Sequence, residues 1–181
     1  DKNNVSQVGD ILINSNFINL VVILIVDDFK RVHYSYTGKI NSFTGNIGFM
    51  SMPLKGIRVL DLTSTLMGPF ATQILGDLGA EIIKVESPSG DIVRQVGPSR
   101  NDGMGALYLN NNRSKKSIQI DLKSEEGRGL LLRLSKNADV LIYNMRPQAM
   151  GRLNLGYEAF RKINPRLIYA GVHGFGQDGE Y

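Results

Sequence analysis

The 181-residue chain contains no cysteine and only two histidines, His33 and His173. The absence of cysteine excludes a disulfide framework and a thiolate metal site. The two histidines lie too far apart in sequence to show the spacing of metal ligands, so we expect no metal. With 42% hydrophobic and 21% charged residues, the composition is typical of a folded domain and not of a disordered chain.

The chain also lacks an apolar run long enough to cross a membrane as a helix. Residues 17–26 (FINLVVILIV) form such a run, but it has only ten residues and Asn19 interrupts it. A membrane-spanning helix needs roughly twenty. No basic leader precedes the run, and two aspartates follow it where a signal peptide would have a small-residue cleavage site. We therefore expect a cytoplasmic protein with no membrane partner.

Proline is missing from residues 1–52, which contain seven asparagines, whereas all six prolines lie from Pro53 onward. This change of composition predicts a domain boundary. We interpret residues 1–52 as an N-terminal extension of no recognised family and residues 53–181 as the organised domain. Deletion of residues 1–49 is then expected to leave the folding of the remainder intact.

The formal net charge of +4 is modest, and its whole excess lies after Met52. A nucleic-acid groove usually requires a stronger basic stripe, so we expect no nucleic-acid partner. A phosphate-bearing small molecule fits this excess better, although a solvated surface would explain it too. The basic residues that could act together on a phosphate are Arg94, Arg100, Arg113, Lys115, Lys116 and Lys123.

From residue 53 onward, apolar strand patterns alternate with helical ones. Strands are predicted at 56–62, 81–86, 117–122, 139–144 and 166–172, and helices at 69–78, 123–137 and 157–164. This alternation predicts an α/β fold, with a Rossmann-like, mostly parallel sheet and flanking helices. In such a sheet the loops that follow the strands meet at one edge, where a ligand can bind.

The turn after the first strand, residues 63–69 (TSTLMGP), contains one glycine, Gly68. The three spaced glycines of the dinucleotide fingerprint are therefore absent, which disfavours a hydride-transfer enzyme. Glu86 ends the second strand about where an acidic residue would contact a ribose, but strand ends are commonly charged. His173 near a strand end is a candidate general acid or base, although no nucleophile and base can be paired from the sequence.

Six segments of the domain, in this order and spacing, resemble the start of a family III CoA-transferase of the CaiB/BaiF type. This group includes formyl-CoA transferase, carnitine CoA-transferase and α-methylacyl-CoA racemase. The segments are PLKGIRVLDLT, GPFATQILGDLGAEIIKVESPSGD, NNRSKKSIQIDLKSEEG, ADVLIYNMRP, RLNLGYE and NPRLIYAGVHGFGQDGEY. The resemblance covers residues 53–181 and leaves residues 1–49 unmatched.

The resemblance implies that this part of the chain holds coenzyme A (CoA) or an acyl-CoA, and that two chains interlock as a homodimer. The implied cofactor-binding residues are Thr65, Leu66, Ile120, Lys123, Asn144, Arg146 and Arg152. The basic residues from Arg94 to Lys116 would lie near the nucleotide phosphates. Formyl-CoA transferase has glutamine where Leu66 stands here, which argues against formyl or oxalyl specificity.

The implied activity is the movement of CoA between carboxylic acids through a covalent aspartyl intermediate. In the family this aspartate lies beyond the position of Tyr181, so we expect no catalytic residue in this chain and interpret the chain as an inactive N-terminal fragment. The alternatives are a 2-methylacyl-CoA racemase of the same family, and a non-enzymatic remnant or nucleotide-binding module.

Overall fold

The computed structural model describes residues 10–12 and 52–175 of the chain. The strands are β1 (Asp10–Leu12), β2 (Arg58–Leu62), β3 (Glu81–Glu86), β4 (Lys115–Gln119), β5 (Val140–Tyr143) and β6 (Ile168–His173). The helices are α1 (Met67–Asp77), α2 (Ala106–Asn111), α3 (Glu125–Ser135), α4 (Pro147–Arg152) and α5 (Tyr157–Arg161), with a 3-10 turn at Ile92–Gln95. No helix within these described residues is long and apolar enough to cross a bilayer.

The strands form one parallel sheet in the order β1-β6-β5-β2-β3-β4. β2 lies in the middle, with Val59 paired to Ile82 of β3 on one side and to Val140 of β5 on the other. The chain builds outward from β2 through β3 to β4, and then returns to the other side of β2 to form β5 and β6. This reversal is the switch point of a doubly wound sheet, and the predicted Rossmann-like α/β fold is confirmed.

Alternate side chains of the central strands point to opposite faces of the sheet, and helices cover both faces. On one face Leu60 and Leu141 pack in a cluster with Leu131 of α3 and Phe160 of α5. On the other face the core includes Val59, Ile82 and Ala170 together with Leu75 of α1. The result is a three-layer domain whose strand ends lie between the two helical layers.

Three residues of the predicted N-terminal extension belong to this sheet. β1 is its outermost strand, with Asp10 opposite Gly171, Ile11 opposite Val172 and Leu12 opposite His173. Residues 1–9 and 13–51, which carry the remainder of that prediction, lie outside the described residues. The domain boundary at residue 53 therefore stays a prediction.

Candidate functional site

A cleft of about 350 Å³ opens at the carboxyl edge of the sheet, over the ends of β2 and β3. Residues 62–64 line it from the end of β2, residues 84–87 and 90–92 from the end of β3, residues 120–123 from the segment after β4, and Met145 and Leu153 from beyond β5. The carboxyl edge beside a switch point is where doubly wound sheets bind ligands. The cleft is therefore the candidate site.

The structure brings the residues implied by the family resemblance to this edge. Ile120 and Lys123 line the cleft, and Thr65 and Leu66 directly follow the lining residue Ser64. The other three flank lining residues in sequence: Asn144 and Arg146 lie on either side of Met145, and Arg152 precedes Leu153. Contact of these residues with CoA stays a prediction.

Three exposed cations at this edge, Lys123, Arg146 and Arg152, form no ion pair within residues 52–175. Most other members of the predicted basic set do. The ion pairs are Arg94–Glu86, Arg113–Asp77, Lys115–Asp61 and Lys116–Glu81, with N···O distances of 2.6 to 3.0 Å. These four cations already neutralise carboxylates of the chain, and the predicted role of the basic set at a nucleotide phosphate stays a prediction.

Glu86 lines the cleft, but its carboxylate is held by hydrogen bonds from this chain's own side chains and backbone. Its carboxylate accepts hydrogen bonds from Arg94 Nε at 2.6 Å, Tyr108 Oη at 2.8 Å, Ser117 Oγ at 2.5 Å and the Asp91 amide at 2.9 Å. Burial alone would raise the Glu86 pKa, but the hydrogen bonds together lower it to about 2. These donors occupy the carboxylate, so the candidate ribose contact at Glu86 stays a prediction without structural support.

Glu86 instead holds the loop at residues 87–105. The Arg94 guanidinium binds the Glu86 carboxylate with two of its nitrogens and stacks 3.8 Å from the centre of the Tyr108 ring. Arg94 also donates to the Gly103 carbonyl near the far end of the loop. The Arg94 guanidinium is therefore bound on several sides and stacked on an aromatic ring, which leaves it little freedom to move. Its contacts hold the loop in one conformation beside the cleft.

The turn at residues 63–66, which joins β2 to α1, forms one wall of the cleft. Asn144, at the end of β5, accepts a hydrogen bond from the Ser64 amide at 3.1 Å and donates to the Ser64 carbonyl at 2.9 Å. The two strand ends are thereby joined across the switch point. Asn144 is therefore engaged with this chain's own backbone, a role that its side-chain type alone did not reveal.

Gly68 serves close packing in this wall. A Cβ at Gly68 would lie 2.4 Å from the Thr63 Cβ, far inside van der Waals contact. The absent side chain lets the first turn of α1 rest directly on the end of β2, which is the packing role of one glycine in nucleotide-binding turns. The single glycine that the sequence offers here is thus explained by packing.

Two buried ion pairs underlie the cleft, and sequence reasoning missed both. Lys84 Nζ lies 2.9 Å from Asp91 Oδ2, and Lys115 Nζ lies 3.0 Å from Asp61 Oδ2, with all four side chains at most 1% exposed. Burial lowers the Lys115 pKa to about 8 although Asp61 opposes that shift. The available signal was a charged residue inside the apolar strands VLDL and IIKV, where only a paired charge can be buried.

His173 ends β6 on the same face as Tyr143, with the rings 5.6 Å apart in an edge-to-face arrangement. Its Nε2 is buried and has no hydrogen-bond partner among the residues that the structure describes. A general acid or base also needs a reacting group within reach, and His173 is not among the residues that line the cleft. The acid–base role suggested for His173 therefore stays a prediction without structural support.

Known proteins of similar sequence include CoA-transferases. The chain is 45% identical over 136 residues to the succinate–glutarate CoA-transferase of Agrobacterium fabrum, covering 71% of this chain and 34% of that protein. It is 50% identical over 129 residues to the acetyl-CoA:oxalate CoA-transferase of Acetobacter aceti, covering 70% and 33%. The chain thus spans about a third of the length of these curated relatives.

The fold is shared as well. A crystal structure of a CAIB/BAIF family protein from Brucella suis superposes with a TM-score of 0.69 at 44% identity, covering 72% of this chain and 36% of that one. The model of the CoA-transferase family III matches residues 54–181, which is most of the chain and nearly all of its described part. The chain therefore belongs to the CoA-transferase family III.

Proposed function

We propose that the cleft binds the CoA portion of an acyl-CoA, and that the domain is the CoA-binding part of an enzyme that moves CoA between carboxylic acids. One observation carries the proposal: Lys123, Arg146 and Arg152 lie at the carboxyl edge and form no ion pair within residues 52–175, whereas most of the predicted basic set is paired. Membership of the family implies CoA thioester substrates, and CoA carries phosphates that need such cations.

The chemistry of the cleft suits the two parts of CoA. Arginine forks and a lysine point charge recognise phosphate groups; Lys123 lines the cleft, and Arg146 and Arg152 are next in sequence to lining residues. Apolar side chains also line the cleft, interspersed with polar ones, and the adenine ring and the uncharged pantetheine arm would pack against them. These apolar residues are Leu62, Val85, Ile92, Ile120, Leu122, Met145 and Leu153.

In the proposed reaction an aspartate carboxylate attacks the acyl-CoA thioester and expels CoA thiolate, leaving a mixed anhydride. The thiolate then attacks the aspartyl carbonyl, which gives an aspartyl-CoA thioester and releases the carboxylic acid. An acceptor carboxylate reverses these two steps. The named relatives act on succinate and glutarate or on acetyl-CoA and oxalate, so we propose a carboxylic acid as acceptor.

The described residues of this chain bind and orient the CoA portion in that scheme. The aspartate is assigned to a region outside the 181 residues, and the complete enzyme is proposed to be an interlocked homodimer. We accordingly expect the chain alone to bind CoA without turnover.

Isothermal titration with CoA tests the binding proposal, with circular dichroism showing that the sample is folded. We expect saturable binding that weakens roughly tenfold for each cation lost in Lys123→Gln and Arg152→Gln. Lys116→Gln is the control, because Lys116 pairs with Glu81 away from the cleft. The proposal is refuted if a folded sample shows no binding of CoA at millimolar concentration. Binding of NADH in the same titration would indicate a dinucleotide site.

Turnover is tested separately with acyl-CoA and acceptor acids. CoA exchange catalysed by the chain alone would overturn the expected inactivity. Deuterium uptake at C2 of a 2-methylacyl-CoA without acyl exchange would favour the racemase instead.

A further inference from the structure

We propose that Lys84 and Asp91 are positioning residues, a buried ion pair that holds the 63–66 turn in a strained conformation required for CoA binding. The inference rests on the proposed function for the identity of the ligand. Both residues line the floor of the cleft, but their side chains are only 1% exposed. They would therefore act through the turn above them and not by direct contact with CoA.

The ion pair reaches the turn at two points. Lys84 Nζ donates a hydrogen bond of 2.7 Å to the Thr63 carbonyl. Asp91 Oδ1 accepts from the Thr65 amide at 3.3 Å, while its Oδ2 faces the Lys84 ammonium at 2.9 Å and accepts no hydrogen bond from another donor in the described part of the chain. The two charged side chains thus form hydrogen bonds with the backbone on both sides of Ser64, whose own amide and carbonyl are bound by Asn144.

The turn needs this grip because its backbone is strained. Thr65 has a φ of +75°, a left-handed conformation that β-branched residues rarely adopt. Such a conformation persists only where surrounding contacts impose it, and strained residues of this kind concentrate at ligand sites. Without Lys84 and Asp91, Thr65 would relax toward negative φ and the wall of the cleft would change shape.

Asp91 also ties the turn to the loop at residues 87–105. Its Oδ1 accepts from the Val93 amide at 3.2 Å and so caps the 3-10 turn, and its own amide donates to Glu86. One carboxylate therefore fixes both walls relative to each other. We expect the loss of its charge to loosen the turn and the loop together.

A stability role alone does not explain this pair. Replacement of a buried ion pair by uncharged groups of similar volume is often neutral or stabilising, whereas removal of one partner leaves a costly unpaired charge. Lys84→Met with Asp91→Asn removes both charges, keeps the volume and retains an oxygen that accepts from Thr65 and Val93. This double variant separates positioning from folding.

The experiment measures CoA affinity and amide hydrogen exchange of the 63–67 segment in the full chain. The Lys84→Met/Asp91→Asn variant should remain folded, exchange faster at Thr65 and bind CoA about tenfold more weakly. Leu131→Ala, in the core under α3, is the matched control: it should lower stability and leave CoA affinity unchanged.

Wild-type affinity and wild-type exchange in the folded double variant would overturn the inference. If the double variant does not fold, Asp91→Glu keeps both charges of the pair but moves the carboxylate away from the Thr65 and Val93 amides, and it provides the same two readouts. If wild-type protein fails to bind CoA, the proposed function fails. The positioning role is then judged on exchange alone, supported by faster exchange at Thr65 and overturned by its absence.

Discussion

Asn144 and the backbone of Ser64 exchange two hydrogen bonds across the ends of β5 and β2. The two strands are neighbours in the sheet although 80 residues separate these positions along the chain. This reciprocal contact closes the switch point, and it places the 63–66 turn against the segment that carries Arg146.

The Asn144 contact predicts a linked loss of stability and affinity. Asn144→Ala removes both hydrogen bonds, so we expect unfolding free energy to fall by about 1 kcal/mol and CoA to bind about tenfold more weakly. Urea unfolding and calorimetric titration measure the two effects. Asn137→Ala, at an exposed position after α3, is the control and should change neither. An unchanged affinity in folded Asn144→Ala would show that the contact does not shape the site.

The packing of Gly68 on Thr63 predicts a strong effect from one added methyl group. In Gly68→Ala the new Cβ would lie 2.4 Å from the Thr63 Cβ, and we expect destabilisation of about 1–3 kcal/mol, the usual cost of overpacking. Gly151→Ala, inside α4, meets nothing within 4 Å and should stabilise by about 0.5–1 kcal/mol. Thermal unfolding compares the two variants. Equal effects would contradict the close approach of α1 to β2.

The hydrogen-bonded carboxylate of Glu86 should account for part of the stability that the protein loses at low pH. Its pKa is lowered from the ordinary 4.5 of a glutamate to about 2 in the folded protein, so the stability it contributes is fully present above pH 4.5 and is lost as the pH falls toward 2. The glutamine side chain of the Glu86→Gln variant has no ionisable group in this pH range. The difference in unfolding free energy between wild type and Glu86→Gln should therefore shrink over that interval.

Urea titrations at a series of pH values measure this difference. Glu158→Gln, at an exposed position whose Arg161 partner is 3.6 Å away, is the control and should follow the wild-type acid profile closely. A difference for Glu86→Gln that stays constant from pH 6 to pH 2 would contradict the assignment.

The sequence predicted the five strands after residue 53 because each is an apolar run bounded by turn residues, and the structure has a strand at each place. It predicted the third strand two residues late, since the strand begins with Lys115 and Lys116. Lysine disfavours a strand position by itself, but Lys115 is buried there by its pairing with Asp61. Helices α2 and α4 were missed because six residues give too few turns for a periodic signal.

The candidate site was predictable only in part. Its place at the carboxyl edge followed from strand order, and the cations at Lys123, Arg146 and Arg152 followed from the family resemblance. The hydrogen bonds that occupy the Glu86 carboxylate could not be predicted, because the donors Arg94, Tyr108 and Ser117 lie 8 to 31 residues away along the chain. Their convergence depends on how the 87–105 loop folds back, which no local pattern reports.

The N-terminal segment gives a further prediction. Deletion of residues 1–49 removes β1, whose pairing with β6 involves three residues. We still expect the remaining domain to fold, because the two core clusters of the described residues consist of residues from Leu54 onward. Circular dichroism and thermal unfolding of residues 50–181 test this. Loss of soluble, folded protein would show that the edge strand is required.

Hydrogen exchange with and without CoA, read by mass spectrometry, locates the CoA site on the intact chain. We expect slower exchange on CoA addition in four segments around the cleft, residues 62–66, 84–92, 120–123 and 144–153. Peptides from the amino edge of the sheet, such as residues 136–140, should not change. Protection confined to that opposite edge, or spread evenly over the surface, would contradict a CoA site at the carboxyl ends of the strands.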